Sequence, residues 1–138
     1  MNALPIALIT GASSGIGLEL ARIFGARHYE LVLVARDPTR LAEVAAELHQ
    51  RYLVPVRVEA CDLSDETSLE ALVDRLAANH QVVDVLVNNA GFGVEGPFSE
   101  TDWKIEREML ELNVMALVRL TKAILPQMLA RRSGKILQ

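Results

Sequence analysis

The residues best suited to chemistry lie in one short stretch, Thr10-Gly11-Ala12-Ser13-Ser14-Gly15-Ile16-Gly17. It follows an apolar run and precedes a helical pattern, and its glycines are spaced G-x-x-x-G-x-G. That arrangement suits the pyrophosphate of a dinucleotide. Gly11 permits the tight turn, Gly15 lets backbone approach the phosphates, and Gly17 lets the helix pack closely. The helix N-terminus would present unpaired N–H groups and a partial positive charge, with Ser13 and Ser14 as hydroxyl donors and Ile16 in the same turn. A ligand-free glycine turn is the bland alternative. The strand before it and the amphipathic helix after it count against that.

Three further strand ends carry polar groups. Arg36 follows Leu31–Ala35, about twenty residues after the glycine loop. An acid there would bind the ribose 2′-hydroxyl of NAD(H), whereas a cation suits the 2′-phosphate of NADP(H). The neighbouring Asp37 complicates the choice. Because Pro38 follows it, Asp37 is read as a helix cap, so NADP(H) is preferred and NAD(H) remains the other option. Cys61-Asp62-Leu63 follows the third strand; Asp62 there either accepts from an adenine amino group or merely starts a turn. Asn88-Asn89-Ala90-Gly91 follows the fourth, where side-chain amides can tie strands together and border a cofactor. Asn113 interrupts an apolar helical region. If buried, it needs partners, either as a structural cross-link or within a polar active-site network. Cys61 reads as a buried small residue. His28, His49 and His80 read as structural, and none joins a spaced metal cluster.

These groups need elements to position them. Leu4–Ile9, Leu31–Ala35, Val54–Val58, Val82–Val87 and Lys135–Leu137 read as strands. Helical stripes lie between them: Ile16, Leu20, Ile23 and Phe24; Leu41, Val44, Ala45 and Leu48; Leu69, Leu72, Val73 and Leu76. Ser64 or Asp65 should cap the third helix, and Ser99 with Asp102 resembles a capping box. From Leu112 to Leu129 apolar residues run nearly all round the helix, which therefore needs a second partner besides the sheet. Pro126 should bend it or end its regular part. The alternation implies one α/β domain over residues 1–138, a Rossmann-type doubly wound parallel sheet with ligands at the strands' carboxyl ends.

Composition agrees with a globular chain: 51% apolar, 23% charged, net charge −4. The mild charge gives no reason to expect nucleic acid or an anionic membrane as partner. Arg119, Lys122 and Pro126 interrupt the longest apolar stretch, against a membrane span. One cysteine and no signal-like start point to the cytoplasm.

In the order and spacing of Thr10–Gly17, Asp62, Asn88–Gly91, Asn113 and Ser133-Gly134-Lys135-Ile136, the sequence resembles the short-chain dehydrogenase/reductase family along its whole length. The resemblance implies that Gly11, Gly15 and Gly17 contact the pyrophosphate, Arg36 selects NADP(H), Asp62 touches adenine, and Asn89, Ala90 and Gly91 flank the cofactor. It implies that Asn113 is the catalytic asparagine, which holds a water in the proton relay. It further implies a small carbonyl or alcohol substrate.

The family usually has glycine before the second strand, where His28 stands; a left-handed His28 would cost about 1 kcal/mol. The family's catalytic Ser and Tyr-x-x-x-Lys are not among these residues. Tyr29 and Tyr52 are the only tyrosines, with Leu33 and Val56 four residues on. The expectation is a sequence cut off within its fifth strand: the cofactor half of an oxidoreductase, inactive alone and self-associating through the 112–129 helix. The alternative is a non-catalytic nucleotide-binding or interaction module.

Overall fold

The computed structural model describes residues 2–138. Five strands appear in chain order: β1 Ile6–Thr10, β2 Glu30–Ala35, β3 Val56–Ala60, β4 Val85–Val87 and β5 Lys135–Leu137. Between them lie α1 Gly15–Ala26, α2 Pro38–Tyr52, α3 Glu66–Ala78, α4 Trp103–Leu110 and α5 Leu117–Arg131. A π-helical segment, Glu111–Ala116, joins α4 to α5. All strand pairs are parallel, in the order β3-β2-β1-β4-β5. This is the expected Rossmann-type doubly wound sheet. Its strand order reverses between β1 and β4, so their carboxyl ends border the crevice where such sheets take ligands.

Side chains alternate along each strand and feed two cores. Ala7, Ile9, Leu31 and Leu33 pack with α1 and α2. Leu8, Val32, Val34 and Leu86 pack with α3 and with Ala116, Leu120, Ile124 and Met128 of the long helical stretch. Both faces are covered, which explains why these strands read as apolar runs without alternation.

Local chemistry sets the helix starts. Asp37 caps α2 by accepting from Thr39 N at 3.0 Å and Arg40 N at 3.1 Å, with Pro38 in the first turn. Asp65, not Ser64, caps α3, accepting from Ser68 N at 2.8 Å. His28 adopts φ 61°, the left-handed conformation whose cost was weighed for it.

The structure corrects several expectations. Strand β3 is displaced by two residues and β4 keeps only the last three of its run. The buried face of α1 is Gly17, Leu18, Ala21 and Gly25; Ile16 and Ile23 point outward, and Leu20 and Phe24 are half-buried. Small residues decide this face because the helix is drawn close to its neighbours. A Cβ on Gly25 would stand 2.7 Å from the Tyr52 ring. Ser99 forms no capping box, since Asp102 is itself the cap of α4, accepting from Lys104 N at 2.8 Å. Pro126 does not end its helix, which continues to Arg131. The proline is exposed, so the carbonyl it leaves unpaired can bond water.

Candidate functional site

The site grows from Thr10, the last residue of β1. Its side chain is buried between β1 and β4. The hydroxyl donates to Val87 O at 3.3 Å and accepts from Asn89 N at 3.0 Å and Ala90 N at 2.9 Å. Asn89 returns the contact: its Nδ2 donates to Thr10 O at 3.1 Å and Gly11 O at 3.3 Å. The glycine turn is thereby fastened to the Asn-Asn-Ala-Gly turn across the point of strand reversal. Sequence reading placed Thr10 at the start of the motif but did not recognise it as the knot. Its signal was a small hydroxyl at the end of an otherwise apolar strand.

Asn88 ties the same turn outward, donating from Nδ2 to Thr121 Oγ1 at 3.1 Å and Gln138 Oε1 at 3.0 Å. The expected strand-tying role of the two amides is therefore present.

Gly17 permits the close approach. A Cβ there would fall 2.1 Å from Gly11 O and 2.5 Å from Asn89 Nδ2. The close neighbour is the turn itself rather than the sheet. Gly11 has φ 64°, in the left-handed region that glycine favours, and its own Cβ would crowd Asn89 and Ala90. Gly15, by contrast, has open space where a side chain would be. Ser14, the N-cap of α1, makes no side-chain cap bond, and no acid lies in the first turn. The positive end of α1 is left facing outward, unneutralised.

A cavity of about 490 Å³ opens there, at the carboxyl ends of four strands. The first strand end lines it with Gly11, Ser13, Ser14 and Ile16, and the fourth with Asn89, Ala90 and Gly91. Arg36 and Leu63 complete the expected set. Sequence reading missed Val34, Ala35, Asp37, Cys61 and Leu112 as lining residues. Ile16 is 72% exposed, which is unfavourable for a core residue and natural for a rim that a ligand covers. Gly15, Gly17 and Asp62 do not line the cavity. Asp62 lies between two lining residues, Cys61 and Leu63, and its Oδ1 accepts from Ser64 N at 3.0 Å and Ser64 Oγ at 2.6 Å. The turn role weighed for this carboxylate is thus realised on one oxygen.

Asn113 is exposed, not buried. Its amide pairs with one backbone residue in both directions. Phe92 N donates to Oδ1 at 3.0 Å, and Nδ2 donates to Phe92 O at 2.8 Å. It is a cross-link, and it lies in the π segment, a rare distortion that recurs at functional sites. The widened turn brings the helix to the loop after β4: a Cβ on Gly91 would stand 2.9 Å from Asn113 Oδ1.

Electrostatics separate the two reactive-looking groups. Burial pushes the Cys61 thiol above its usual range, and the Ser68 hydroxyl bond only partly offsets this. The thiol is therefore a poor nucleophile at neutral pH. Arg36 is exposed and, among the described residues, makes no hydrogen bond or ion pair. A free cation beside an uncapped helix N-terminus and a glycine cradle is a site built for anionic oxygen. The residues fit a dinucleotide's phosphates.

A model of the family described as short chain dehydrogenase matches residues 5–138. The chain belongs to that family. Dehydrogenase/reductase SDR family member 7B of Danio rerio is 40% identical over 136 residues, covering 95% of this chain and 44% of the relative. Sulfoacetaldehyde reductase 2 of Chromohalobacter salexigens is 37% identical over 130 residues, covering 94% and 51%. Among solved structures, a short-chain dehydrogenase from Sphingobium yanoikuyae in complex with NADPH superposes with TM-score 0.91 at 39% identity, covering 96% of this chain and 52% of that one. The L-sorbose reductase of Gluconobacter frateurii, complexed with NADPH and L-sorbose, gives 0.89 at 38%, covering 97% and 51%. The chain spans about half the length of the curated relatives it matches. It is homologous to the NAD(P)-binding region of these dehydrogenases. No helix among the described residues is long and apolar enough to cross a membrane.

Proposed function

We propose that the cavity holds NADP(H) in preference to NAD(H), and that this chain is the cofactor-binding part of an oxidoreductase acting on a carbonyl or alcohol. The single observation carrying this is the unpaired, exposed Arg36 at the cavity rim. The 2′-phosphate is the one group that distinguishes the two cofactors, and a guanidinium can grip it through paired N–H bonds. Asp37 does not compete as a ribose ligand with equal force, because one of its oxygens is engaged by two backbone N–H groups of α2.

When bound, the nicotinamide supplies or accepts the hydride of such a reaction. The chain's own residues bind and orient. The uncapped first turn of α1 receives the pyrophosphate, with Ser13 and Ser14 beside it. Asp62, between the lining residues Cys61 and Leu63, has only Oδ1 engaged by Ser64, which leaves Oδ2 for an adenine amino group. Asn89, Ala90 and Gly91 form the floor, held in place by Thr10. Asn113 fixes the loop at Phe92 and is a positioning residue for whatever proton relay the complete enzyme uses.

The outer side of the long helical stretch completes this reading. Met115, Val118, Leu125 and Leu129 share one exposed face around Lys122. We infer that a second copy of the chain covers it, giving a homo-oligomer.

Fluorescence titration tests the cofactor assignment. NADPH should bind about ten- to hundredfold more tightly than NADH, the value of one charge-assisted contact. Arg36→Met should abolish most of that preference. Equal affinities in the unmutated chain would remove the proposal.

A further inference from the structure

Among the described residues, four other than glycine adopt the left-handed backbone conformation: His28 at φ 61°, Leu53 at 57°, His80 at 48° and Arg132 at 53°. They stand just past the ends of α1, α2, α3 and α5. Glycine takes this conformation without strain, so a larger side chain repeated at four equivalent positions calls for a reason. In a parallel sheet with helical crossovers, helix ends and strand starts share one end of the sheet. Backbone bonds hold them together here. Glu30 N donates to Pro5 O at 2.9 Å, Leu31 N to Pro55 O at 3.0 Å, Asp84 N to Ile6 O at 2.9 Å and Lys135 N to Asp84 O at 2.9 Å. The strand order therefore sets the segments of Leu53, His28, Leu4, His80 and Arg132 side by side, at the end opposite the large cavity.

This end is basic. In the segments joining helix to strand, residues 27–29, 53–55, 79–84 and 132–134, Asp84 is the only acid. It is already spent: Oδ2 accepts from Ile6 N at 2.8 Å and Oδ1 from Arg131 Nη1 at 3.1 Å. Arg27, Arg51, Arg132 and Lys135 are exposed there and make no ion pair among the described residues. The net charge of −4 conceals this, because acids such as Asp37, Asp65 and Asp102 gather at the helix starts. Apolar side chains are interleaved with the cations. Leu53 is 82% exposed, and Leu4 and Val82 are exposed beside it in the row of loops.

We propose that this end of the sheet docks on an anionic phospholipid bilayer, with the cations on the headgroups and Leu53 inserted among them. Helix C-termini attract cations on their own account, which would explain Arg27, Arg51 and Arg132 with no partner at all. That account leaves out Leu53, whose left-handed backbone and exposed side chain are both unfavourable in water. The cations are spread one or two to a loop and converge on no pocket, which suits a broad anionic surface better than a single ligand. Apolar side chains among cations match the boundary between headgroups and acyl chains. The cavity at the opposite end stays open in this orientation.

Flotation with vesicles tests the docking, since aggregated protein does not float. Vesicles of phosphatidylcholine alone are compared with equal parts of phosphatidylcholine and phosphatidylserine. The chain should float only with the second, and added salt should release it. Arg51→Ser with Arg132→Gly should weaken binding about ten- to thirtyfold, at about fivefold for each cation removed. Leu53→Gly should weaken it about three- to tenfold while melting no lower, because glycine relieves the strained backbone. A purely structural leucine would give the opposite pair of results. Equal flotation with both vesicles, or unchanged flotation of the double arginine variant, would overturn the proposal. So would binding that polyglutamate competes away and that Leu53→Gly leaves intact, which would assign the face to an acidic polypeptide. Should the double variant melt early, Arg27→Gln with Lys135→Gln carries the comparison.

Discussion

Two regions of this molecule are unfinished in opposite ways. At the carboxyl ends of the strands, the Thr10 hydroxyl and the side-chain N–H groups of Asn88 and Asn89 are spent on the turns themselves, and the charge left over is positive: Arg36 and the uncapped end of α1. On the outer side of α5, apart from Lys122, what is left over is carbon: Val118, Leu125 and Leu129. A surface left with donors and a cation is completed by an anion. A surface left with side-chain carbon is completed by another apolar surface. The kind of surplus, more than its size, separates a ligand site from a docking face.

The strongest way to break this contrast is to fill the closest approach at the first region. Gly17→Ala would place a methyl group 2.1 Å from a backbone oxygen, and no side-chain rotation relieves that. The fold should lose about 3 kcal/mol, and NADPH binding should disappear with the turn. A denaturant midpoint equal to that of the unmutated chain would show that the turn yields more easily than its geometry implies.

The second region calls for the reverse experiment. Val118→Lys with Leu129→Lys adds charge where exposed carbon now lies. Self-association measured by sedimentation should weaken by about tenfold or more, since each buried side chain of this kind contributes about 1.5–3 kcal/mol when fully covered. NADPH affinity should not change. An unaltered sedimentation profile would mean that this face does not join copies of the chain.

The smallest effect sharpens how the two regions are joined. Arg119 of α5 reaches Glu70 of α3, with Nη2 2.8 Å from Oε2. This bond holds the Glu70 carboxyl below the usual carboxylate range. A lowered value means the contribution is present above the ordinary carboxylate range and is lost as pH falls through the lowered one. The pair is exposed, so the effect is slight. Glu70→Gln should be marginally less stable at neutral pH, and the difference should shrink as pH falls from the ordinary carboxylate range through the lowered one. Melting curves of the two proteins across that range check the sign; a gap that widens in acid would contradict it.

Much of the site was legible before any coordinates. The glycine spacing, Arg36 at a strand end, the Asp37–Pro38 helix start and the left-handed His28 are short-range matters. Each follows from what one residue and its chain neighbours allow. The alternation of strand and helix was legible for the same reason, and with it the parallel sheet.

Tertiary approach decided the rest. The buried face of α1 went to Gly17, Ala21 and Gly25 rather than to the larger Ile16 and Ile23, because how near two segments come is set by atoms far apart in sequence. Thr10 became a knot only when Asn89, in a turn distant in the chain, was brought beside it. Asn113 left the core for a cross-link to Phe92 through a π segment that no apolar periodicity announces. Composition and spacing thus determined that a glycine turn joins the first strand to the first helix and where it lies. Only the packed chain decided which polar groups would be consumed in building it and which cations would be left to bind.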